Sequence, residues 1–277
     1  EPEKAVQHCK RVIDIATEKQ FFWPITIACN TMGLMHMDAE NYSEAAVLFE
    51  KGLDVLNMFI ERDDKTIRVL SFKMYESNFV KGRLLGNLAT SYAHLNEIEK
   101  AENFFGQSID MAEKAGDKQG KADRLGNFGL LLVNQGLIAM KKGAAHIAEQ
   151  FFKKGIDRYN EAIDISRTVG DRQGEEISLG NRGLAKLCLN RFQGALTDFE
   201  TALEIARAIE HKVGEANWLS NAGKAAYYLD NFQQGLNDNM KALRLFKEIG
   251  FESGRKDALN FLIFILDQNG DKKKADK

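Results

Sequence analysis

Apolar residues recur at helical spacing along nearly the whole chain. Leu85, Leu88, Ala89 and Tyr92 fall at i, i+3, i+4 and i+7, and Ala101, Phe105, Ser108 and Ile109 carry the same face onto a second segment. That period marks an amphipathic helix with one buried stripe. Asn96 and Glu97 supply a short polar turn between the two segments, so the pair reads as a helical hairpin. The only prolines are Pro2 and Pro24, and almost nothing reads as a strand run closed by an Asn-Gly turn. The pattern predicts an all-α chain.

The hairpin pattern is repeated. GDKQG at 116–120 returns as GDRQG at 170–174, with looser copies EHKVG at 210–214 and GFESG at 250–254. LGN at 85–87, 125–127 and 179–181 and LSN at 219–221 place Asn87, Asn127, Asn181 and Asn221 at spacings of 40, 54 and 40. AENFFGQSID at 101–110 is echoed by AEQFFKKGID at 148–157 and, more loosely, by AVQHCKRVID at 5–14, AAVLFEKGLD at 45–54 and ALTDFETALE at 195–204. Three markers in one order indicate an internal repeat. The glycine of the repeated phrase suits the left-handed residue at a helix C-terminus, and its Asp suits the cap of the next helix.

On this ruler the chain reads as a single array over 1–277. Residues 3–20 form the second helix of a truncated repeat and 25–60 a repeat. An insertion or extended helix occupies 61–81, followed by a repeat at 82–115 and an elongated one at 122–169. Repeats at 176–209 and 216–249 precede an incomplete terminal repeat at 256–277. The 54-residue unit gains seven residues in each helix, roughly 10 Å, which predicts a lengthened hairpin. Its tip falls near Lys141–Gly143 or its far end near Arg167–Asp171, and the extra length is either a tolerated insertion or a partner surface. A stack that stops in mid-repeat exposes apolar surface. DALNFLIFILDQNG at 257–270 is therefore either the cut edge of a longer protein or a site of self-association. Glu1 in place of Met, with no signal-peptide pattern, fits a trimmed or processed piece.

NLATSYAHLNEIEKAENFF at 87–105 and NAGKAAYYLDNFQQGL at 221–236 resemble the tetratricopeptide repeat, which sets Leu-Gly, Tyr, Ala and Phe at fixed offsets on two helices. The 40-residue period is similar to the long-helix subgroup of Pins-type scaffolds and kinesin light chains. The resemblance implies a right-handed superhelical solenoid of antiparallel helix pairs, with the first helices lining a concave groove. It also implies that the recurrent asparagines hold a partner's peptide backbone. The carboxylate-clamp pattern of chaperone-binding repeats, a Lys and an Asn four apart, is not evident.

The groove face predicted from the helical period takes Arg83, Asn87, Thr90 and His94 from one first helix and Asp123, Asn127, Leu130 and Asn134 from the next. Ile177, Asn181, Leu184 and Cys188 follow, and then Asn217, Asn221, Lys224 and Tyr228. A primary amide both donates and accepts, so a row of asparagines can hold an extended peptide without reading its sequence. The alternative is that they satisfy neighbouring helix groups. Arg83, Arg124, Arg182 and Lys224 lie on or beside this face and favour an acidic segment, with Trp218, Tyr227 and Tyr228 as aromatic anchors. Arg182 and Lys186 fall where core residues belong, which implies a rotated helix or a frame shifted by one.

Thirty-eight basic and forty acidic residues leave a net charge of −2, which argues against a nucleic-acid or anionic-membrane binder. Cys9, Cys29 and Cys188 are odd in number and far apart, suiting a reducing cytoplasmic compartment and neither a disulfide frame nor a metal site. His8, His36, His94, His146 and His211 sit in different units without catalytic or metal spacing, and no phosphate loop occurs, so neither enzyme activity nor a cofactor is expected. Three readings follow: a scaffold holding a partner's peptide, a peptide sensor controlling an attached output domain, or an enzyme with a composite site. An enclosed pocket with a His beside a carboxylate would favour the last.

Overall fold

The computed structural model describes residues 2–19, 21–63 and 71–275, with the side chains at 2–3, 59, 61–63, 71–75 and 271–275 outside that description. Among the described residues there are twelve helices and no strand: α1 (Pro2–Glu18), α2 (Phe22–Asp38), α3 (Tyr42–Asp63), α4 (Ser71–His94), α5 (Ile98–Lys114), α6 (Lys118–Lys141), α7 (Ala145–Val169), α8 (Arg172–Cys188), α9 (Phe192–Ala208), α10 (Lys212–Tyr228), α11 (Phe232–Glu248) and α12 (Glu252–Ala275). Within the stretch 61–81, residues 64–70 lie outside the described residues, as do Gln20, Asp276 and Lys277 at the outer edges of 3–20 and 256–277. On either side of 64–70, α3 has 22 residues and α4 has 24. The elongated hairpin is present: α6 has 24 residues and α7 has 25, where α8, α9, α10 and α11 have 17 each.

Helix contacts divide the chain into two compact units, Glu1–Phe128 and Gly129–Lys277, and the division falls within α6. Each unit is a stack of antiparallel helix pairs in which successive helices pack on one another. First helices also touch directly, α2 with α4 in the first unit and α8 with α10 and α10 with α12 in the second. This puts them on the inner side of each stack.

Left-handed residues close the helices. Inside the hairpins these are Glu40, Asn96, Gly143, Asn190 and Asp230; between hairpins they are Gly116, Gly170, Glu210 and Gly250, with φ from 57° to 75° across the set. Asp117 and Asp171 follow two of those glycines and cap the next helix. Their carboxylates accept from the Gly120 N–H at 2.8 Å and the Gly174 N–H at 2.9 Å. The twice-written phrase is therefore a stop followed by a start.

Inside each hairpin, a small residue on the first helix meets a large one sixteen positions later on the second. The pairs are Gly33 with Phe49, Gly136 with Phe152 and Gly183 with Phe199; Ala89 occupies the same position before Phe105. All four rings are buried. A β-carbon at Gly136 or Gly183 would stand 2.6 or 2.7 Å from ring atoms of Phe152 or Phe199. The missing side chain is thus what lets the ring enter between the helices. In the last complete hairpin the large partner is Asn239. It accepts from the Ser220 hydroxyl at 2.9 Å and donates to the Gly235 carbonyl at 3.0 Å, so the buried amide is paired.

Polar links join neighbouring first helices. In the first unit Arg124 donates to the Gly82 carbonyl at 3.2 Å and pairs with Asp117 at 3.1 Å. In the second unit the fully buried Glu176 accepts from the Trp218 indole and lies 2.8 Å from His211 Nδ1. Arg167–Glu175 and Arg207–Glu215 staple successive helices across their turns, as Lys121–Glu113 does with reversed sign. With one or both partners open to water, such pairs contribute less than about 1 kcal/mol each and fix position more than stability.

Asp117 combines a cap with a buried ion pair. Asp117→Ala is expected to cost about 3–5 kcal/mol, whereas Asn231→Ala, which removes an exposed cap from Gln234 N, costs about 1 kcal/mol; urea denaturation checks both. A second expectation concerns Tyr92, which donates to Glu50 at 2.6 Å. Desolvation first, and then that bond to a carboxylate, push its phenol up to about 12. Because the folded-state value is raised, its contribution is complete below the usual pKa of about 10 and is lost as pH rises through 12. Tyr92→Phe should flatten the stability–pH curve between those limits and remove the corresponding phenolate absorbance step.

Candidate functional site

In the first unit α4 presents Phe79, Arg83 and Asn87, and α6 presents Gln119, Asp123 and Asn127. Each triplet runs at i, i+4 and i+8, and each residue of the first lies forty positions before its counterpart. The two ladders line one open cleft of about 420 Å³. Four of the residues predicted for the groove, Arg83, Asn87, Asp123 and Asn127, meet there.

Their partners decide what the cleft can offer. Arg83 lies 5.9 Å from the centroid of the Phe79 ring, and no carboxylate pairs with it among the described residues. Asn87 donates to Asn30 of α2 at 3.1 Å. Gln119 donates to Asp123 at 3.3 Å. The Asn127 amide has no hydrogen-bond partner among the described residues. Asp117 and Arg124 also line the cleft and neutralise each other. Arg83 is therefore the cation that this wall leaves available.

Elsewhere the predicted face is mixed. His94 stacks on Tyr42 with centroids 4.0 Å apart, and the Thr90 hydroxyl donates back to the Gly86 carbonyl. Leu130 and Asn134 are exposed on α6. In the second unit Asn181 and Asn217 have no hydrogen-bond partner among the described residues, while Asn221 accepts from Lys224 at 3.3 Å. Burial lowers the Lys224 ammonium below its usual range, and Asp257 partly opposes this. Leu184 and Cys188 pack against the core, Ile177 is exposed, and Tyr228 stacks on Phe192 at 5.0 Å.

Several side chains read as free groove cations or anchors are already engaged. Arg124 is buried in its pair with Asp117. Arg182 grips Asp198 through Nε at 2.9 Å and Nη2 at 2.7 Å, and Lys186 adds a contact at 2.7 Å. Asp198 is only 3% exposed. A core-facing carboxylate on α9 thus explains why Arg182 and Lys186 sit where apolar residues were expected. Trp218 is buried with its indole committed to Glu176, so it offers no exposed anchor. Asn30 was missed because the stretch after Ala45 breaks the ruler before it reaches α2.

The three thiols are free, and burial pushes those of Cys29 and Cys188 up, away from reactivity. Among the described residues no group of three or more His, Cys, Asp and Glu could hold a metal ion, and no helix is long and apolar enough to cross a membrane. His211 does lie beside a carboxylate, but Glu176 is fully buried and shared with Trp218, as a packing link between α8 and α10. Exposed apolar residues gather on α12, where Leu259, Ile263 and Leu266 share a face, and on α1 at Val12 and Ile15.

Comparison with curated proteins finds no match. Among solved structures, BtubC (BKLC) from P. vanneervenii is similar over 90% of this chain and 92% of its own, with a TM-score of 0.65 at 13% identity. Aspartyl phosphate phosphatase F from Bacillus subtilis matches 92% of this chain and 64% of its own, with a TM-score of 0.65 at 11% identity. A signal transduction ATPase with numerous domains and a tetratricopeptide repeat sensor, from Pyrococcus horikoshii, matches 94% of this chain over 36% of its own, with a TM-score of 0.63 at 16% identity. At these identities the likeness concerns the fold. One tetratricopeptide-repeat family model matches residues 134–208 and another matches 83–115. These matches identify residues 83–115 and 134–208 as tetratricopeptide repeats, and the stacked hairpins with their small-residue–ring pairs give the chain a tetratricopeptide-repeat-like fold.

Proposed function

We propose that the chain is a non-catalytic binding module that holds an extended segment of a partner protein against its first helices, with the α4–α6 cleft as the principal site. The observation that carries this reading is the cleft's pair of facing ladders, which leave the Arg83 guanidinium without a carboxylate and the Asn127 amide without a hydrogen-bond partner among the described residues. An amide in that position supplies a donor and an acceptor to a peptide backbone, and a guanidinium supplies a fork for a carboxylate. The ligand is then a segment with an acidic side chain near one end. Its acidic character rests on Arg83 alone in this cleft, since Arg124 is spent on Asp117.

A second reading is a sensor domain governing an attached output region. It is favoured by the coverage of two similar proteins, which extend well beyond the matched part, one of them carrying a tetratricopeptide repeat sensor by name. In both readings the event at this chain is binding.

A displayed library of random peptides selected on the 277-residue chain, then rescreened on Arg83→Glu and Asn127→Ala, tests the site. The expected result is enrichment of acidic segments that lose roughly tenfold or more in affinity to Arg83→Glu, as removal of a charge-assisted bond implies, and lose less to Asn127→Ala. Segments that bind wild type and both variants equally would place the ligand elsewhere.

A further inference from the structure

A second cavity, in the second unit, does not rest on the reading of the α4–α6 cleft. Its origin is visible in the repeat. Three second helices open on a ring, α3 on Tyr42, α9 on Phe192 and α11 on Phe232. In the first two that ring stacks against the last residue of the following first helix: Tyr42 against His94 at 4.0 Å and 2°, and Phe192 against Tyr228 at 5.0 Å and 16°. Phe192 and Tyr228 are thirty-six positions apart, and the same step from Phe232 reaches Gln268. No ring closes the stack there, and a cavity of about 300 Å³ opens.

Its walls are aromatic. Tyr227, Tyr228, Phe232 and Phe264 line it, with Gln268 and one charged side chain, Asp230. Tyr227 is the hub: the Tyr228 ring stands at 70° to it with centroids 5.5 Å apart, and the Phe264 ring at 72° and 5.8 Å. Rings set nearly at right angles enclose a corner. Tyr228 and Phe264 nevertheless remain 47% and 42% exposed, so the corner is open to solvent. Asp230 holds a left-handed backbone at φ 61° in the α10–α11 turn, and its carboxylate has no ion-pair partner among the described residues.

Aromatic faces are electron-rich and attract a cation, and an unpaired carboxylate adds the counter-charge. An unmodified ammonium is strongly hydrated and loses that shell against apolar walls. Methylation spreads the charge over carbon and matches both features. We propose that this cavity binds a methylated ammonium group, carried either by a modified lysine side chain or by a small quaternary amine. Its chemistry is opposite in sign to that of the α4–α6 cleft, so a shared ligand is not implied.

Titration of the full 277-residue chain with N-acetyl-trimethyllysine amide, choline and the neutral carbon isostere of the trimethyllysine probe, followed by calorimetry and by aromatic NMR shifts, tests this. The expected result is saturable binding of at least one cationic probe, with the tighter of the two naming the source. The isostere should bind roughly tenfold more weakly, a ratio within the range of cation–π attraction in a partly desolvated site. Asp230→Asn is the informative variant, because Asn tolerates the left-handed backbone and leaves the turn intact. It should weaken the cationic probes about threefold to tenfold and leave the isostere unchanged. Failure of both cationic probes to saturate would overturn the assignment, and so would an isostere that binds as well as they do.

Discussion

A phenyl ring on one helix needs a gap in the helix opposite, and this chain places the gap sixteen residues earlier. Gly33, Gly136 and Gly183 supply it for Phe49, Phe152 and Phe199, and a buried Ala89 stands before Phe105. The geometry sets how closely the two helices approach and fixes their register, because a ring fits only where a side chain is missing. A glycine in mid-helix weakens that helix by roughly 1 kcal/mol relative to alanine, while a buried Phe contributes several times that amount. The exchange is favourable, and its repetition along the chain is what makes the fold a stack of hairpins.

The face of each first helix that ring packing leaves over is mixed, with Leu130 and Ile177 exposed on it beside the polar groups. Where the chain supplies an internal counterion the surface closes: Asp198 absorbs Arg182 and Lys186, and Asp117 absorbs Arg124. Where it does not, groups stay available among the described residues, as with Arg83, Asn127, Asn181 and Asn217. The cleft between α4 and α6 is therefore the remainder left by packing and ion pairing on the first unit. The aromatic cavity beside Asp230 arises in a related way, from a repeated stack in which Gln268 stands where Tyr228 stood one repeat before.

The hairpins, the lengthened α6–α7 pair and the glycine–aspartate stop and start were legible in the sequence because they depend on local period and local backbone conformation. The meeting of Arg83, Asn87, Asp123 and Asn127 was legible for the same reason, since each pair keeps the forty-residue step. The state of charge was not. Arg182 and Asp198 are sixteen residues apart on different helices, and Arg124 meets a carboxylate in the preceding turn and the Gly82 carbonyl of α4. A reading confined to one helix face sees such arginines as free. Asn30 escaped because the register is lost between α3 and α4, and the aromatic corner because its signal is a substitution inside a contact that only the fold reveals.

A double-mutant cycle at Gly183 and Phe199 tests the ring-in-gap constraint most directly, with urea denaturation as the readout. In the presence of Phe199, Gly183→Ala should destabilise by about 1–3 kcal/mol, because the added methyl meets the ring. In the Phe199→Ala background the same change should be neutral or stabilising by up to about 1 kcal/mol, leaving helix propensity alone. An equal effect of Gly183→Ala in both backgrounds would contradict the constraint.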